Sequence, residues 1–518
     1  MPLSAPPAPR VNWRVLIPSA VLILSITLWG LISPTSVQSV LGAAASWIAD
    51  SFGWFYVALG ATILFFMIFL ACSKYGRIKL GPDDSTPEFK PLTWTAMLFA
   101  VGIGTDLMYF AVAEPISQYM APPSTPAETV DAAREATAWT MFHYGIVGWA
   151  MYALMGVVLG IVAYRLGRPL VVRAALFPLL GERANGRIGD TVDVAAILAT
   201  IFGVATTLGI GVVMVNVGLE IIFGIPRSVP VQLIIIALGV LVATLSAVSG
   251  VKRGIRRLSE LNVIAAGVLT LWIVITGKTQ FLLEGLVLNV GDFFRLFPGM
   301  ILQTFAFEDT GSWMQDWTLF FWAWWVAWAA FVGLFVARIS RGRTLRQVVF
   351  GSLVIPFGYI VMWVSIYGNS ALDLVRSGNR DFGVATMQDP PTGFYLLLME
   401  YPGFTFLAGI ATITALLFYV TSADSAALVM ANLTSILPND EAEAGSGLRI
   451  FWACMTGGLT LAMLVVGGIG ALQSATVILG LPFSFVLIFV MVGLYRLLKQ
   501  ENTKLEEMSY ARVAALTD

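Results

Sequence analysis

The sequence predicts an all-α integral membrane protein with twelve transmembrane helices. Of the 518 residues, 58% are hydrophobic and only 12% are charged, whereas an ordinary soluble domain has about 25% charged residues. Twelve apolar runs follow one another along the chain, and each is long enough to supply the roughly 20 residues that a helix needs to cross a hydrocarbon core of about 30 Å. These runs cover residues 15–33, 54–73, 92–113, 138–164, 192–223, 230–248, 258–277, 313–337, 347–368, 403–432, 448–470 and 474–497.

The first two predicted spans lie within residues 15–90, and the first of them is expected to remain as a helix. It is too long for a secretory signal peptide, and many similar segments follow it. Lys and Arg set the orientation, because they collect on the cytoplasmic side. Basic residues precede the first span and follow the second, fourth, sixth and eighth, whereas residues 34–53 have none. We therefore expect the N-terminal tail (1–14) and the short C-terminal tail (499–518) to be cytoplasmic.

Spans three to seven, within residues 91–280, and spans eight to twelve, within residues 313–498, form two groups of five with opposite orientations. Such groups predict an inverted repeat, in which a carrier rocks about a central site. The prediction is based on topology, since no sequence identity between the halves is evident. The connecting segment, residues 281–312, predicts an interfacial helix and a loop, because Glu284 and Asp292 interrupt its apolar residues.

An acid lies in the third span, within GIGTDLMYFAVAEP, residues 102–115. Asp106 is near mid-membrane, where a carboxylate is costly unless it is protonated, paired or hydrated, so it indicates a functional site. Gly102 and Gly104 precede it and predict a break in the helix, which leaves backbone carbonyls in a polar niche. The alternative is a structural acid that a neighbouring hydroxyl or amide satisfies. Glu114, near the outer end of the same span, is expected to reach the interface.

The eighth span begins with WTLFFWAWWVAW, which contains five tryptophans. On a helix, Trp317, Trp324 and Trp328 share one face. Trp322 and Trp325 share another, so a single aromatic belt at the membrane interface does not account for all five. Tryptophan attracts cations through its ring quadrupole, and aromatic cages bind quaternary ammonium groups. We interpret the cluster as part of such a cage, with core packing as the alternative for each tryptophan alone.

The fourth span contains FHYGIVGWAMY, residues 142–152, which adds further aromatic side chains. Trp149 and Tyr152 lie three residues apart on one helix face, and Tyr144 lies more than a turn earlier. These three side chains can close a box with Trp325. His143, the single histidine, has two open interpretations: a proton relay or a hydrogen-bonded packing residue.

The tenth span contains a polar cluster, VTSADS, deep in an apolar segment. Thr421, Ser422 and Asp424 are candidate ion-coupling residues, because hydroxyls and carboxylates are suitable ligands for a small hard cation. Serine and threonine also satisfy neighbouring helices inside membranes. Either role fits the spacing.

The sequence lacks the motifs of several classes of function. HExxH, GxxxxGK[ST] and a cysteine nucleophile with a histidine partner are all absent from it, so we expect neither an enzyme with catalytic residues nor a cofactor. The two cysteines, Cys72 and Cys454, fall inside predicted spans, which supports neither a disulfide framework nor a metal site. A net charge of −1 indicates no nucleic-acid partner.

A cation channel also uses acids and hydroxyls and stays an alternative.

The motifs GIGTDLMYFAVAEP, FHYGIVGWAMY, WTLFFWAWWVAW with ARISRGRT behind it, and VTSADS resemble those of the betaine/choline/carnitine transporters, over residues 13–498. The resemblance implies a five-plus-five inverted-repeat (LeuT-like) carrier with two extra N-terminal helices, assembled as a homotrimer among the lipids of a bacterial inner membrane. Within the family, the stretch around Asp106 is most similar to the proton-coupled choline transporters, which have an acid where sodium-coupled betaine carriers have glycine.

The resemblance also implies roles for the candidate residues. The aromatic-box positions fall on Tyr144, Trp149, Tyr152 and Trp325. Thr421 and Ser422 match positions where sodium carriers place ion ligands, but Ala327 stands where a further serine is expected, which argues against sodium.

The function implied is import of choline, a precursor of an osmoprotectant, together with protons. Asp106 then pairs with the quaternary ammonium group, accepts the coupling proton, or does both in alternation. The alternative is a sodium-coupled or exchange carrier for glycine betaine or carnitine.

Overall fold

The computed structural model describes residues 9–101, 104–249, 252–438 and 442–517, and these are almost entirely helical. The all-α prediction is confirmed. The helices are α1 (Trp13–Ile32), α2 (Pro34–Cys72), α3 (Pro91–Val101), α4 (Thr105–Met120), α5 (Val130–Tyr144), α6 (Ile146–Tyr164), α7 (Phe177–Leu180), α8 (Arg187–Phe223), α9 (Val229–Ser249), α10 (Lys252–Thr276), α11 (Thr279–Met300), α12 (Phe320–Ile339), α13 (Leu345–Arg376), α14 (Arg380–Gln388), α15 (Pro390–Met399), α16 (Phe404–Leu433) and α17 (Ser446–Thr517). Short 3₁₀ turns occupy Lys74–Arg77, Val172–Leu176 and Gly181–Asn185, and a π-helical turn, Gln315–Leu319, leads into α12.

Two short strands connect the segment before α1 with the segment after α16. The strand β1 (Arg10–Val11) pairs antiparallel with β2 (Ser435–Ile436). The amide of Asn12 also donates to the carbonyl of Thr434, at 2.9 Å. The segment ahead of α1 is therefore held at the end of the bundle where α16 finishes.

Nine helical segments in the described ranges are long and apolar enough to cross a membrane, or ten if α10 and α11 count as one bent span. The predicted count of twelve stays a prediction. The last two predicted spans both fall within α17, which is kinked where Gly467 and Gly468 leave helical geometry. Gly468 has φ 66°, a left-handed conformation that glycine adopts without strain.

Burial separates central helices from peripheral ones. In the most apolar window of each segment, 94% of the residues are buried in α5–α6, 89% in α8 and 83% in the segment that contains α12. The corresponding values are 28% in α1 and 22% in α9. A substrate site in the interior must therefore be built chiefly on α5–α6, α8 and α12, together with elements that contact them.

The third predicted span is interrupted where glycines were expected to break it. One helix, α3, ends at Val101, and α4 begins at Thr105. Gly104 caps α4 with an extended backbone, φ −144° and ψ 169°, and Gly102 lies outside the described residues. A second break, at Gly145, was not predicted: α5 ends at Tyr144 and α6 begins at Ile146.

The connecting helix α11 follows α10 at a bend of 115°. Two of its polar residues face the protein, whereas Glu284 is exposed. Asp292 is only 2% exposed and pairs with Arg134 of α5, with 2.5 Å between Oδ1 and Nη2. Asn289 is also buried and donates to Ser365. The outer side of α11 is instead apolar, with Val287 and Phe294 exposed, so the polar face of this helix serves to dock it.

Candidate functional site

The acid of the third span lies directly after the helix break. Asp106 is partly buried in the first turn of α4, where a negative charge is favoured by the helix dipole. Its carboxylate folds back over Gly104, because a Cβ added there would lie 2.2 Å from Oδ1 of Asp106. Glycine at this position therefore makes room for the acid.

Four aromatic side chains form a contiguous cluster beside Asp106. The hydroxyl of Tyr144 donates to Oδ2 of Asp106, at 3.3 Å, and the Tyr144 ring lies 6.4 Å from that of Trp325. Ring centroids are 4.9 Å apart for Tyr152 and Trp325, 5.3 Å for Trp149 and Tyr152, and 6.1 Å for Trp149 and Trp325. We call these four residues the aromatic box. A carboxylate beside clustered aromatic rings attracts a large organic cation, through its charge and through cation–π interactions with the rings.

The unpredicted break at Gly145 positions two members of the box. It places Tyr144 at the last position of α5 and Trp149 in the first turn of α6. The last carbonyls of a helix have no intrahelical donor, and here the indole Nε1 of Trp325 donates to the carbonyl of His143, at 2.7 Å. The end of α5 therefore fixes the orientation of Trp325.

Gly148 is a site residue that the sequence analysis missed. A Cβ added at this position would lie 2.1 Å from Cδ2 of Trp325, so the indole packs directly on the backbone of α6. The sequence shows a glycine beside Trp149, but it does not show which side chain of another helix needs that space.

Trp322, which the sequence also predicted to bind the substrate, lies outside the aromatic box. Among the described residues it packs on Phe142, with ring centroids 5.1 Å apart, and it is fully buried. Its Nε1 lies 3.5 Å from the position of a Cβ added at Gly60 of α2. Positions three apart on a helix differ in direction by about 60°, which here is enough to turn one indole toward α2 and the other, Trp325, toward α6.

The polar cluster of α16 is not joined to the aromatic box. Thr421 Oγ1 donates to the backbone carbonyls of Leu417 and Phe418, at 2.9 and 3.2 Å, and Ser422 is partly buried beside it. Asp424 pairs with Arg449 of α17, at 3.4 Å.

Distance along α16 separates the cluster from Asp106. The helix approaches the acid at Ala415, whose carbonyl accepts from Thr105, at 3.4 Å, and nine helical residues from there to Asp424 span about 13 Å. The structure therefore gives Asp424 an ion-pair partner away from Asp106, and its role in ion coupling stays a prediction.

His143 and Glu114 form a buried pair between α5 and α4. Both side chains are fully buried, and Nδ1 of His143 lies 2.5 Å from Oε1 of Glu114. The other ring nitrogen, Nε2, lies 2.9 Å from the hydroxyl of Thr318. The expectation that Glu114 reaches the interface is therefore wrong, because the carboxylate points inward to the histidine.

Comparison with known proteins identifies the family. The model of the betaine/carnitine/choline family transporters matches residues 14–503. The chain belongs to this family. It is a multi-pass membrane transporter and not an enzyme, as the sequence predicted.

Curated members of the family align over nearly the whole chain. The high-affinity choline transport protein of Escherichia coli K12 is 53% identical over 497 residues, which cover 96% of this chain and 73% of that protein. The osmo-dependent choline transporter BetT2 of Acinetobacter baylyi is 50% identical, covering 96% of this chain and 72% of its own length. The glycine betaine transporter OpuD of Bacillus subtilis is 37% identical, with 96% of each chain covered.

Gly148→Ala tests the packing of Trp325 on α6. The added methyl group displaces the indole, so we expect affinity for a quaternary ammonium ligand to fall about tenfold, within the range of a lost cation–π contact. Ligand titration of purified protein, followed by tryptophan fluorescence, measures this change.

Gly409→Ala is the control, because it adds the same methyl group to α16 at a position where none of the described residues of other elements lies within 4 Å. An unchanged affinity in Gly148→Ala would mean that Trp325 is free to move without loss of binding.

Proposed function

We propose that this chain is a secondary active transporter that imports choline by proton symport with alternating access. The observation that carries the proposal is Asp106 beside the aromatic box, with its carboxylate bonded to Tyr144. A trimethylammonium group offers no N–H donor, so ring faces and a nearby anion are the groups that can replace its hydration. The two most similar relatives described above are both choline transporters by name.

Charge favours choline over glycine betaine at this site. Choline has a net positive charge, whereas glycine betaine also has a carboxylate. Asp106 attracts the first and repels the acid group of the second, and such interactions are strong where water is excluded. The substrate-binding residues proposed are therefore Asp106, Tyr144, Trp149, Tyr152 and Trp325.

Proton coupling is favoured over sodium coupling by the residues of α12 and α16. Ala327 has no hydroxyl to offer a cation, and the hydroxyl of Thr421 already donates to two carbonyls of its own helix. We infer that Asp106 supplies the negative charge that pairs with the quaternary ammonium group during proton-coupled transport. The alternative, a sodium-coupled or exchange carrier for betaine or carnitine, is supported by the glycine betaine transporter of Bacillus subtilis among the relatives.

The proposed architecture is that of twelve spans with the two repeats, residues 91–280 and 313–498, moving against each other about the aromatic box. The interruption between α3 and α4 lies in the first span of the first repeat, where the helix N-terminus and Asp106 meet the substrate. We place the protein in a bacterial inner membrane as a homotrimer, with both termini in the cytoplasm.

Uptake into proteoliposomes, with pH and sodium varied independently, tests this function. In sodium-free buffer with an inward proton gradient, we expect uphill accumulation of radiolabelled choline that saturates and that collapses with a protonophore. Unlabelled choline should compete at least about tenfold better than betaine or carnitine, because Asp106 repels the carboxylate that both of these zwitterions contain.

Two results decide between the alternatives. A strict requirement for sodium, or better competition by betaine than by choline, favours the sodium-coupled carrier. Flux that does not saturate and never moves uphill identifies a channel.

A further inference from the structure

We propose that the buried pair Glu114–His143 is the binding site of the coupling proton, separate from Asp106. The inference rests on the proposed proton symport. It assigns the two charges of one transport cycle to two places: the quaternary ammonium group at Asp106 and the proton at the pair.

Charge balance requires a second group, besides Asp106, that can bind the coupling proton. In symport, substrate and proton must be bound at the same time. An ionised Asp106 that balances the quaternary ammonium group cannot also hold the proton, because protonation removes the charge that pairs with the substrate. A second titratable group within the transport domain is therefore needed, and Glu114–His143 provides one about two helical turns, or roughly 12 Å, along α4 from Asp106.

The geometry of the pair suits the uptake of one proton. Nδ1 of His143 and Oε1 of Glu114 are 2.5 Å apart, with both side chains fully buried. An ionised Glu114 with a neutral His143 leaves a net charge of −1 in the apolar interior. One proton from outside forms an N–H or O–H bond shared between them and brings the net charge to zero, which burial favours. The proton leaves to the cytoplasm when the transporter opens inward.

The surroundings hold the pair in one orientation and leave the negative charge uncompensated. The imidazole lies parallel to the ring of Phe321, at 4.9 Å, and Nε2 is held by Thr318, at 2.9 Å. Thr318 belongs to the π-helical turn before α12, a distortion that is frequent at functional sites. In the part of the chain that the structure describes, neither Glu114 nor His143 has a Lys or Arg partner, so a proton is the available counter-charge.

Two other titratable groups lie on elements that contact the pair. Tyr144 follows His143 in the chain and interacts electrostatically with Glu114, Asp106 and Tyr109. In the π-helical turn before α12, Asp316 lies two residues before Thr318. Its carboxylate accepts a hydrogen bond from the hydroxyl of Ser312, at 2.7 Å.

Backbone contacts link the pair to the aromatic box. The carbonyl of His143 accepts from the indole of Trp325, and the next residue, Tyr144, donates to Asp106. A change in the position of His143 on protonation therefore moves two of the four rings that hold the substrate. This is a direct route by which proton binding and substrate binding affect each other.

The test measures protons moved per choline in proteoliposomes with a pH-sensitive dye inside. For Glu114→Gln and His143→Gln we expect downhill choline flux to continue, but with a proton flux at least about tenfold lower and no choline accumulation driven by a pH gradient. Thr140→Val is the control: Thr140 is a buried residue of α5 whose hydroxyl donates to Ala136, and we expect a wild-type ratio.

The outcomes separate this inference from the proposed function. If the wild type moves no protons with choline, proton symport itself is wrong and the inference fails with it. If the wild type moves protons with choline and both Gln variants keep the wild-type number of protons per choline, the pair is not the proton site and the proposed function stands.

Glu114→Asp covers the case in which the Gln variants do not fold. It keeps the acid but lengthens the contact with His143, so we expect coupled uptake with a shifted pH profile. An unchanged profile in folded Glu114→Asp would overturn the inference.

Discussion

Asp106→Asn is expected to abolish uphill choline accumulation and to weaken choline binding by a few hundredfold or more. The substitution keeps the size of the side chain and its ability to accept from Tyr144, but it removes the negative charge. Loss of one partner from a buried charge pair costs about 3–5 kcal/mol, and each 1.4 kcal/mol is a factor of about ten in affinity. Choline affinity by tryptophan fluorescence and uptake into sodium-free vesicles measure the two effects.

Selectivity provides a second measure of the same variant. Without the charge at position 106, the carboxylate of glycine betaine is no longer repelled, so the affinity ratio of betaine to choline should rise by at least about tenfold. Asp309→Asn, which neutralises an exposed acid in the loop before α12, is the control and should leave both affinities unchanged. If Asp106→Asn keeps wild-type choline affinity and accumulation, Asp106 has no part in binding or coupling.

The aromatic box shows what local sequence can predict about a membrane site. Tyr144, Trp149, Tyr152 and Trp325 were all identified in advance, because aromatic residues at helical spacing inside long apolar spans are few and distinctive. The break before Asp106 was also predicted, since glycine weakens a helix interior more than any residue except proline. In both cases the signal lies within about a dozen consecutive residues.

Contacts between distant segments were not predictable in the same way. Glu114 and His143 are 29 residues apart, and Asp424 and Arg449 are 25 apart. Neither pairing has a local pattern, so Glu114 was placed at the interface and the partner of Asp424 was not predicted. A helical wheel also gives the direction of Trp322 and Trp325 without saying which neighbouring helix each one meets.

Trp325→Leu is expected to weaken choline binding about thirtyfold. Trp325 touches the other three members of the aromatic box, and its indole is tied to the end of α5. Leucine fills part of the volume but has no ring quadrupole, and a desolvated cation–π interaction is worth about 2 kcal/mol or more. Binding measured by equilibrium dialysis of radiolabelled choline avoids dependence on the fluorescence of the substituted tryptophan.

Trp328→Leu is the matched control on the same helix. Trp328 is partly buried and packs on Phe331, with ring centroids 4.9 Å apart, so the same substitution removes an indole of α12 outside the box. We expect choline affinity within about twofold of wild type. Equal losses in both variants would show that α12 contributes through general packing, and the quaternary ammonium group would then be held elsewhere. A loss confined to Trp325→Leu shows that the effect is specific to the aromatic box, as cation–π binding at that ring predicts, because an indole of α12 is removed in both variants.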